Sequence, residues 1–291
     1  MPAPGGLLLG LLFVGIWASA FNAARIVVLE WPALWALDLR FWTVLPLLGI
    51  VVAWRRAPWP AGEDRWRLAL MGLFGTGGYL GFAWLALRGA PSGIVALLCA
   101  TAPLFVAVGE YFVRGQRLAI AAWLGLFLGW LGVAILGGFR AAGGFGAAEG
   151  WGMALALMGA ISQAVGILCF APARARIDPW TANLGQSAVA AVMLLPVAIL
   201  VEPPPPAVIG LATLAALVWS ILVVGILGYA LFFVMMRRLP ASTAASLQLL
   251  APPLAALFDW ALLGERLLTT DIVGGAVTLL GIALLLRARA A

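Results

Sequence analysis

The sequence predicts an all-α integral membrane protein, with ten transmembrane helices forming two inverted five-helix repeats around a central cavity. Three observations carry that prediction. Of the 291 residues 65% are hydrophobic and only 10% charged, with a mean hydropathy of +1.11. Soluble domains carry about 25% charged residues, so no soluble fold covers this much apolar surface. The apolar residues also fall into ten stretches, each near the ~20-residue length that crosses hydrocarbon as a helix. Third, the chain repeats itself. Moving forward 149 residues (237 − 88) carries Arg88 onto Arg237, Pro91 onto Pro240, Pro103 onto Pro252, Glu110 onto Asp259, Gly115 onto Gly264 and Arg117 onto Arg266. The register continues through Gly125/Gly274 and Gly132/Gly281. A constant offset held over about two helices marks an internal duplication.

In chain order the spans are placed at 5–24, 33–54, 67–88, 91–113, 118–138, 151–171, 180–201, 208–235, 241–263 and 270–287. Span 1 has the length of a signal peptide but lacks its basic leading segment, so it reads as a retained helix. Trp31-Pro32 separates it from span 2, and Pro58-Trp59-Pro60 separates span 2 from span 3. Gly89-Ala90-Pro91 opens span 4, and Gly115-Gln116-Arg117 joins spans 4 and 5. Gly143-Gly144-Phe145-Gly146 links span 5 to span 6 and divides the chain into a first repeat, 1–143, and a second, 144–291. Asp178-Pro179, Pro203 through Pro206, and Leu239-Pro240 punctuate the second repeat. Trp31, Trp35, Trp54, Trp59, Trp66, Trp151 and Trp180 sit at span ends, where interfacial aromatic belts lie.

Loop arginines set the orientation. With the N-terminus cytoplasmic, the inner side holds Arg55, Arg56, Arg65, Arg67, Arg114, Arg117, Arg174, Arg176, Arg237, Arg238, Arg287 and Arg289. The outer side holds only Arg25, Arg88, Arg140 and Arg266, and Arg40 lies within span 2. That bias places both termini in the cytoplasm of a multi-pass inner (plasma) membrane protein. Five spans per repeat is an odd number, so the second repeat is inserted upside down. Inverted repeats with a site between them near the midplane are the signature of secondary transporters.

Composition also excludes chemistry. All 17 basic residues are arginine. Without His there is no histidine relay, Ser-His-Asp catalysis or histidine metal site; without Lys there is no Walker-type phosphate loop, so this chain does not drive transport with ATP. Cys99 and Cys169 lie far apart inside apolar runs and read as small hydrophobes, leaving no metal or cofactor site. The net charge of +6 sits in short loops, so topology accounts for it and no nucleic-acid partner is implied; the partners are membrane lipid and a small-molecule substrate. Asp38, Glu110 and Asp259 are scattered over three spans and both ends, unlike the clustered groups an embedded enzyme needs.

Polar groups at membrane depth need partners or a function. Ser19, Asn22, Thr101, Ser162, Gln163, Ser246 and Gln248 are candidates to line a cavity for a zwitterion; interhelical hydrogen bonding is their alternative role. Cys99, Trp17, Tyr79, Phe82, Trp84, Tyr229 and Phe232 lie within their spans and bear on specificity. Arg40, Glu110 and Asp259 are candidate coupling or gating charges. Glu110 has Arg114 four residues on, whereas Asp259 has Leu263 there; Arg40 and Asp259 lie at similar depths below the outer surface, so either they contact each other or both sit in wet vestibules near the ends of their spans. Proton coupling through Glu110, Asp259 or Asp38 and simple facilitation both remain open. Pro103 and Pro252 each remove a helix hydrogen bond at repeat-equivalent positions and are expected to be symmetric bending points. The Gly75–Gly81 run softens span 3; Gly125, Gly129 and Gly132 let span 5 pack closely.

Several of these stretches resemble the drug/metabolite transporter superfamily, specifically its ten-helix EamA-type members. The resemblance is carried by Trp17-Ala18-Ser19-Ala20-Phe21-Asn22, Arg40, Ala90-Pro91, Tyr229 with Phe232, Leu239-Pro240-Ala241, and Ala251-Pro252 leading to Gly264-Glu265-Arg266-Leu267. It covers essentially the whole chain. It implies a central cavity enclosed by spans 1–4 and 6–9, with spans 5 and 10 at the periphery, and export of small metabolites, notably amino acids. Aromatic amino acid exporters of the YddG type are the nearest functional analogue. The first repeat departs from the pattern, reading Gly115-Gln116-Arg117-Leu118. The expected function is export of amino acids, including aromatic ones, by alternating access; a multidrug or lipophilic-cation exporter is the alternative.

Overall fold

The structure, a computed structural model, describes residues 4–114, 119–142, 146–238, 251–264 and 269–290, and these are helical apart from short connections. Helices α1 (Pro4–Glu30) and α2 (Ala33–Trp54) meet at Trp31-Pro32, where proline's fixed φ starts a new helix. α3 comprises Glu63–Leu70, a π-helical segment Met71–Gly78, and Tyr79–Ala86. α4 comprises Ser92–Cys99 and Ala102–Arg114. Then follow α5 (Ile120–Ala142), α6 (Ala147–Phe170) and α7 (Pro179–Val201), whose N-terminus is capped by the Asp178 carboxylate. α8 comprises Leu211–Trp219, a π-helical segment Ser220–Gly228, and Tyr229–Arg238. α9 comprises Ala251–Phe258 and π-helical Asp259–Leu263, and α10 is Thr269–Ala290.

Seven of the described helices are long and apolar enough to cross a membrane, with shorter apolar stretches at Ile120–Ile135 and Ile272–Leu285. The outer surface is apolar where a soluble protein would be polar: Trp54, Leu200, Leu211 and Ile120 are each at least 80% exposed. Meanwhile Asn22, Asp38, Arg40, Gln163, Asn183 and Gln186 are buried. Inward polar groups and an outward apolar belt are what a lipid solvent demands.

Helix packing obeys a two-fold exchange of the repeats. α5 packs on α10, α2 on α7, and the first half of α4 on α9, each pair exchanging with itself. The other large contacts come as mates: α3 on α6 with α8 on α1, α3 on α7 with α8 on α2, and α4 on α6 with α9 on α1. The α5–α10 seam shows the exchange at atomic scale. A Cβ at Gly125 would lie 2.7 Å from the Gly281 carbonyl, and one at Gly132 would lie 2.6 Å from the Gly274 carbonyl. Adding 149 to Gly125 gives Gly274; subtracting it from Gly281 gives Gly132. One contact is therefore the two-fold image of the other, and only glycine lets the backbones approach this closely.

Two differences from the sequence reading have physical causes. First, Pro103 does not bend a continuous helix. α4 breaks at Ala100-Thr101, the Thr101 hydroxyl donates to the Leu98 carbonyl at 2.6 Å, and Pro103 sits in the first turn of the second half. There its missing N–H costs nothing, because first-turn donors lack intrahelical partners anyway. Pro252 occupies the same place in α9, which begins at Ala251, the repeat mate of Ala102. Second, α1 runs to Glu30, past the expected end at residue 24. Arg25 donates to the Leu87 carbonyl on α3, so its charge is held by a neighbouring helix and does not terminate its own.

Candidate functional site

The π-helical segments of α3 and α8 are also repeat mates, since Met71 plus 149 is Ser220. A π-turn widens the helix and leaves carbonyls without their usual partners. Here polar side chains from neighbouring helices meet them: the Ser162 hydroxyl donates to the Phe74 carbonyl at 2.7 Å, and the Asn183 amide donates to the Gly225 carbonyl at 2.9 Å. Thr76 on the α3 segment hydrogen-bonds Gln186, which in turn donates to Asn183 at 3.2 Å. α7 thus ties the two irregular segments together. The sequence reading passed over Thr76, Asn183 and Gln186, although Asn183 and Gln186 share one face of a span at a spacing of three residues.

Just beyond these segments, α1, α2, α3 and α8 line a narrow hollow of about 20 Å³, room for roughly one water. Its walls are Trp17, Phe21, Arg40, Tyr79, Trp84 and Tyr229, with Ala20, Ala24, Leu80, Ala83, Leu87 and Val224. A second crevice, too narrow to admit a water, adjoins it through Trp17, Phe21 and Tyr79. That one reaches Cys99 and Ala100 at the break in α4 and Ala251 at the start of α9. The ring of Trp17 lies 5.3 Å from Tyr229 and stacks on Phe232 at 5.6 Å.

Arg40 is the charged member of this wall. It is 2% exposed, and its Nε and Nη2 have no hydrogen-bond partner. Its guanidinium lies 5.4 Å from the Phe41 ring centre and 5.8 Å from that of Tyr229, within cation–π range. The Tyr229 hydroxyl is likewise buried without a partner. Asp38 faces Trp42, one turn along α2, and does not pair with Arg40. The Asp259 side chain lies outside the described residues, as do Ser246 and Gln248, so an Arg40–Asp259 contact is not placed.

The other candidates divide. Trp17, Tyr79, Cys99 and Tyr229 line the central hollows, and Phe232 backs them. Ser19 and Asn22 face a different and far roomier hollow of about 330 Å³ between α1, α8 and α9. Both hydrogen-bond between helices: Asn22 donates to the Ser92 hydroxyl and the Ala255 carbonyl, each at 3.1 Å, and Ser19 accepts from the Trp219 indole at 3.0 Å. Phe82 packs against Gly159 of α6, Thr101 caps the α4 break, and Ser162 serves the α3 π-turn. Gln163 and Glu110 are buried, and neither lines these three hollows.

Polar contacts tie the helix ends together at both ends of the bundle. At one end Glu30, the last residue of α1, accepts from the Gly210 N–H at 2.7 Å and from the Thr213 hydroxyl at the start of α8. Beside it the buried Glu202 carboxylate accepts the Ala33 and Leu34 N–H groups at 3.1 and 2.7 Å, and Arg88 at 3.2 Å. At the other end Arg176, after α6, donates two hydrogen bonds of 2.9 and 2.6 Å to Asp64 at the start of α3. That hydrogen bond holds the Arg176 pKa above its ordinary value.

The model of the EamA-like transporter family matches residues 4–138 and again residues 150–287. "Uncharacterized transporter YoaV" of Bacillus subtilis is 25% identical over 282 residues, covering 95% of each chain. An "Uncharacterized transporter" of Archaeoglobus fulgidus is 24% identical, covering 96% of this chain and 97% of its own. "Uncharacterized transporter sll0355" of Synechocystis is 23% identical over 93% of this chain and 86% of its own. A solved structure titled only "Crystal structure of protein" superimposes with a TM-score of 0.66 at 25% identity, covering 97% of both chains.

Proposed function

This chain belongs to the EamA-like transporter family, and on that premise we propose that it exports small metabolites, amino acids including aromatic ones, by alternating access. Transport of a small molecule across a membrane follows from the family; the substrate, direction and mechanism are our reading. The observation that carries it is the two-fold exchange of helix contacts between the repeats. Two packings related by exchange of the repeats are nearly equal in energy, so small differential contacts tilt one into the other. The arginine bias puts the Asp64 end and both termini in the cytoplasm, and the repeats divide at the 143–144 junction. Trp17, Tyr79 and Tyr229 supply aromatic wall; the α4 break at Pro103 and the α9 start at Pro252 supply hinges. A buried guanidinium in the same wall repels a lipophilic cation, which speaks for amino acids over cationic drugs.

The test is efflux from liposomes loaded with labelled phenylalanine, tryptophan or tetraphenylphosphonium, with and without a pH gradient. The aromatic amino acids leave faster than from empty liposomes, and tetraphenylphosphonium does not. Acceleration by an imposed proton gradient assigns coupling; indifference assigns a facilitator. Flux of tetraphenylphosphonium alone, or of nothing, overturns the reading.

A further inference from the structure

We infer that Arg40 is a carboxylate-binding group, and that the transported molecule is itself the counter-ion of this buried charge. The inference rests on the transport reading above and names the substrate chemistry at the same site.

A charged side chain in a helix centre is costly even on the most lenient scales, and buried charges are ordinarily paired. Arg40 breaks that rule. It is 2% exposed, Nε and Nη2 have no partner, and no acidic residue stands among the described walls of its cavity. What surrounds it is specific. The ring faces of Phe41 and Tyr229 hold the guanidinium in place, and the Tyr229 hydroxyl, a second donor, is buried and unpartnered beside the same space. A Cβ at Gly225 would lie 3.6 Å from Arg40 Nε, an ordinary van der Waals contact, so the α8 backbone packs beside that nitrogen without pairing with it. The wall therefore presents donors and apolar rings but lacks an acceptor. A planar guanidinium with two free N–H directions matches the two oxygens of a carboxylate. The aromatic walls then select a carboxylate with an apolar or aromatic body over a small inorganic anion.

This assignment separates the two ends of an amino acid. The carboxylate is required, whereas the ammonium finds ring faces and no acidic residue among the described walls. Compounds that keep the carboxylate and lack the amine are ligands; those that keep the amine and lack the carboxylate are not. It also makes the empty site a source of instability, because removing an uncompensated buried charge relieves desolvation.

The experiment uses the whole protein in detergent, followed by thermal unfolding with phenylalanine, 3-phenylpropionate or 2-phenylethylamine, and repeats the series with Arg40→Gln and Arg40→Lys. The first two compounds raise the melting temperature of the unsubstituted protein and the third does not. Arg40→Gln melts at the same or a higher temperature without ligand and binds both carboxylates at least about 30-fold more weakly; Arg40→Lys keeps a reduced response. Stabilisation by 2-phenylethylamine, no response to either carboxylate, an undiminished response in Arg40→Gln, or collapse of the unliganded Arg40→Gln protein overturns the assignment. Because this readout is binding, a protein that binds 3-phenylpropionate but moves nothing across liposomes counts against the export reading alone.

Discussion

The two ends of the bundle occupy equivalent places and are built from different chemistry. Each joins the end of the first helix of one repeat, or the turn after it, to the start of the third helix of the other: Glu30 to Thr213, and Arg176 to Asp64. Thr213 is the repeat mate of Asp64, since 64 plus 149 is 213. At the Asp64 end the tie is an ion pair whose arginine side chain is 60% exposed, and exposed pairs contribute little net stability. At the Glu30 end a second, buried acid, Glu202, gathers N–H groups from the start of α2 and the Arg88 guanidinium. Hydrogen bonds to a buried charge are the strong ones. Symmetry decides where the closures lie; divergence of the two repeats decides how firmly each one holds. In the proposed alternating-access cycle the Asp64 end is the lighter lock and is expected to open first.

The largest way to break this contrast is to empty the heavier lock. Glu202→Ala leaves backbone donors of α2 and the Arg88 guanidinium without their acceptor. It should cost about 3 kcal/mol in thermal or denaturant unfolding of the detergent-solubilised protein; a loss too small to measure would mean that Glu202 only decorates that end.

The next test goes to the α5–α10 seam, where the repeats are predicted to be equal. Gly132→Ala and Gly281→Ala are mates that push a methyl group into the facing backbone. Each should destabilise by about 2 kcal/mol, and by similar amounts, without changing which substrates move. Unequal costs would show that the two-fold is only approximate at its best-packed contact.

The smallest stability effect is expected at the lighter lock. Asp64→Asn breaks an exposed pair and should leave the melting temperature unchanged at physiological salt. It should nevertheless raise the accessibility of Cys99 to a thiol reagent from the Asp64 side. A large drop in stability would reverse the ranking of the two ends.

Much of this was legible in the residues. The offset of 149, the arginine bias and the odd number of spans gave an inverted, two-repeat membrane fold, and packing of α1 on α8 as α6 packs on α3 is its physical expression. Trp17, Tyr79 and Tyr229 were recognisable because aromatic rings within spans are not needed at interfaces. The locks were not legible. Glu202 follows a helix end in a proline run, and nothing in its neighbours reveals that its partners start 167 to 169 positions earlier. The π-turns escaped for a similar reason: a widened turn depends on carbonyl partners such as Asn183 and Ser162 on other helices, so no local pattern announces it. Pro103 was read correctly as a break in regularity and wrongly as a bend, because a proline starts a helix as readily as it kinks one.

If the two end contacts are alternative locks on one cavity, fixing either one leaves the cavity reachable from the opposite face alone. The native thiol Cys99 lines the space between them, so it can report on both. In a Cys169→Ser background, one protein carries Asp64→Cys with Arg176→Cys and another carries Glu30→Cys with Thr213→Cys. Each pair is crosslinked, and a small membrane-impermeant thiol reagent is then applied from one face or the other. With the Asp64 end locked, Cys99 should react only from the Glu30 face; with the Glu30 end locked, only from the Asp64 face. Reaction from the same face under both locks, or from neither face under either, would contradict the account.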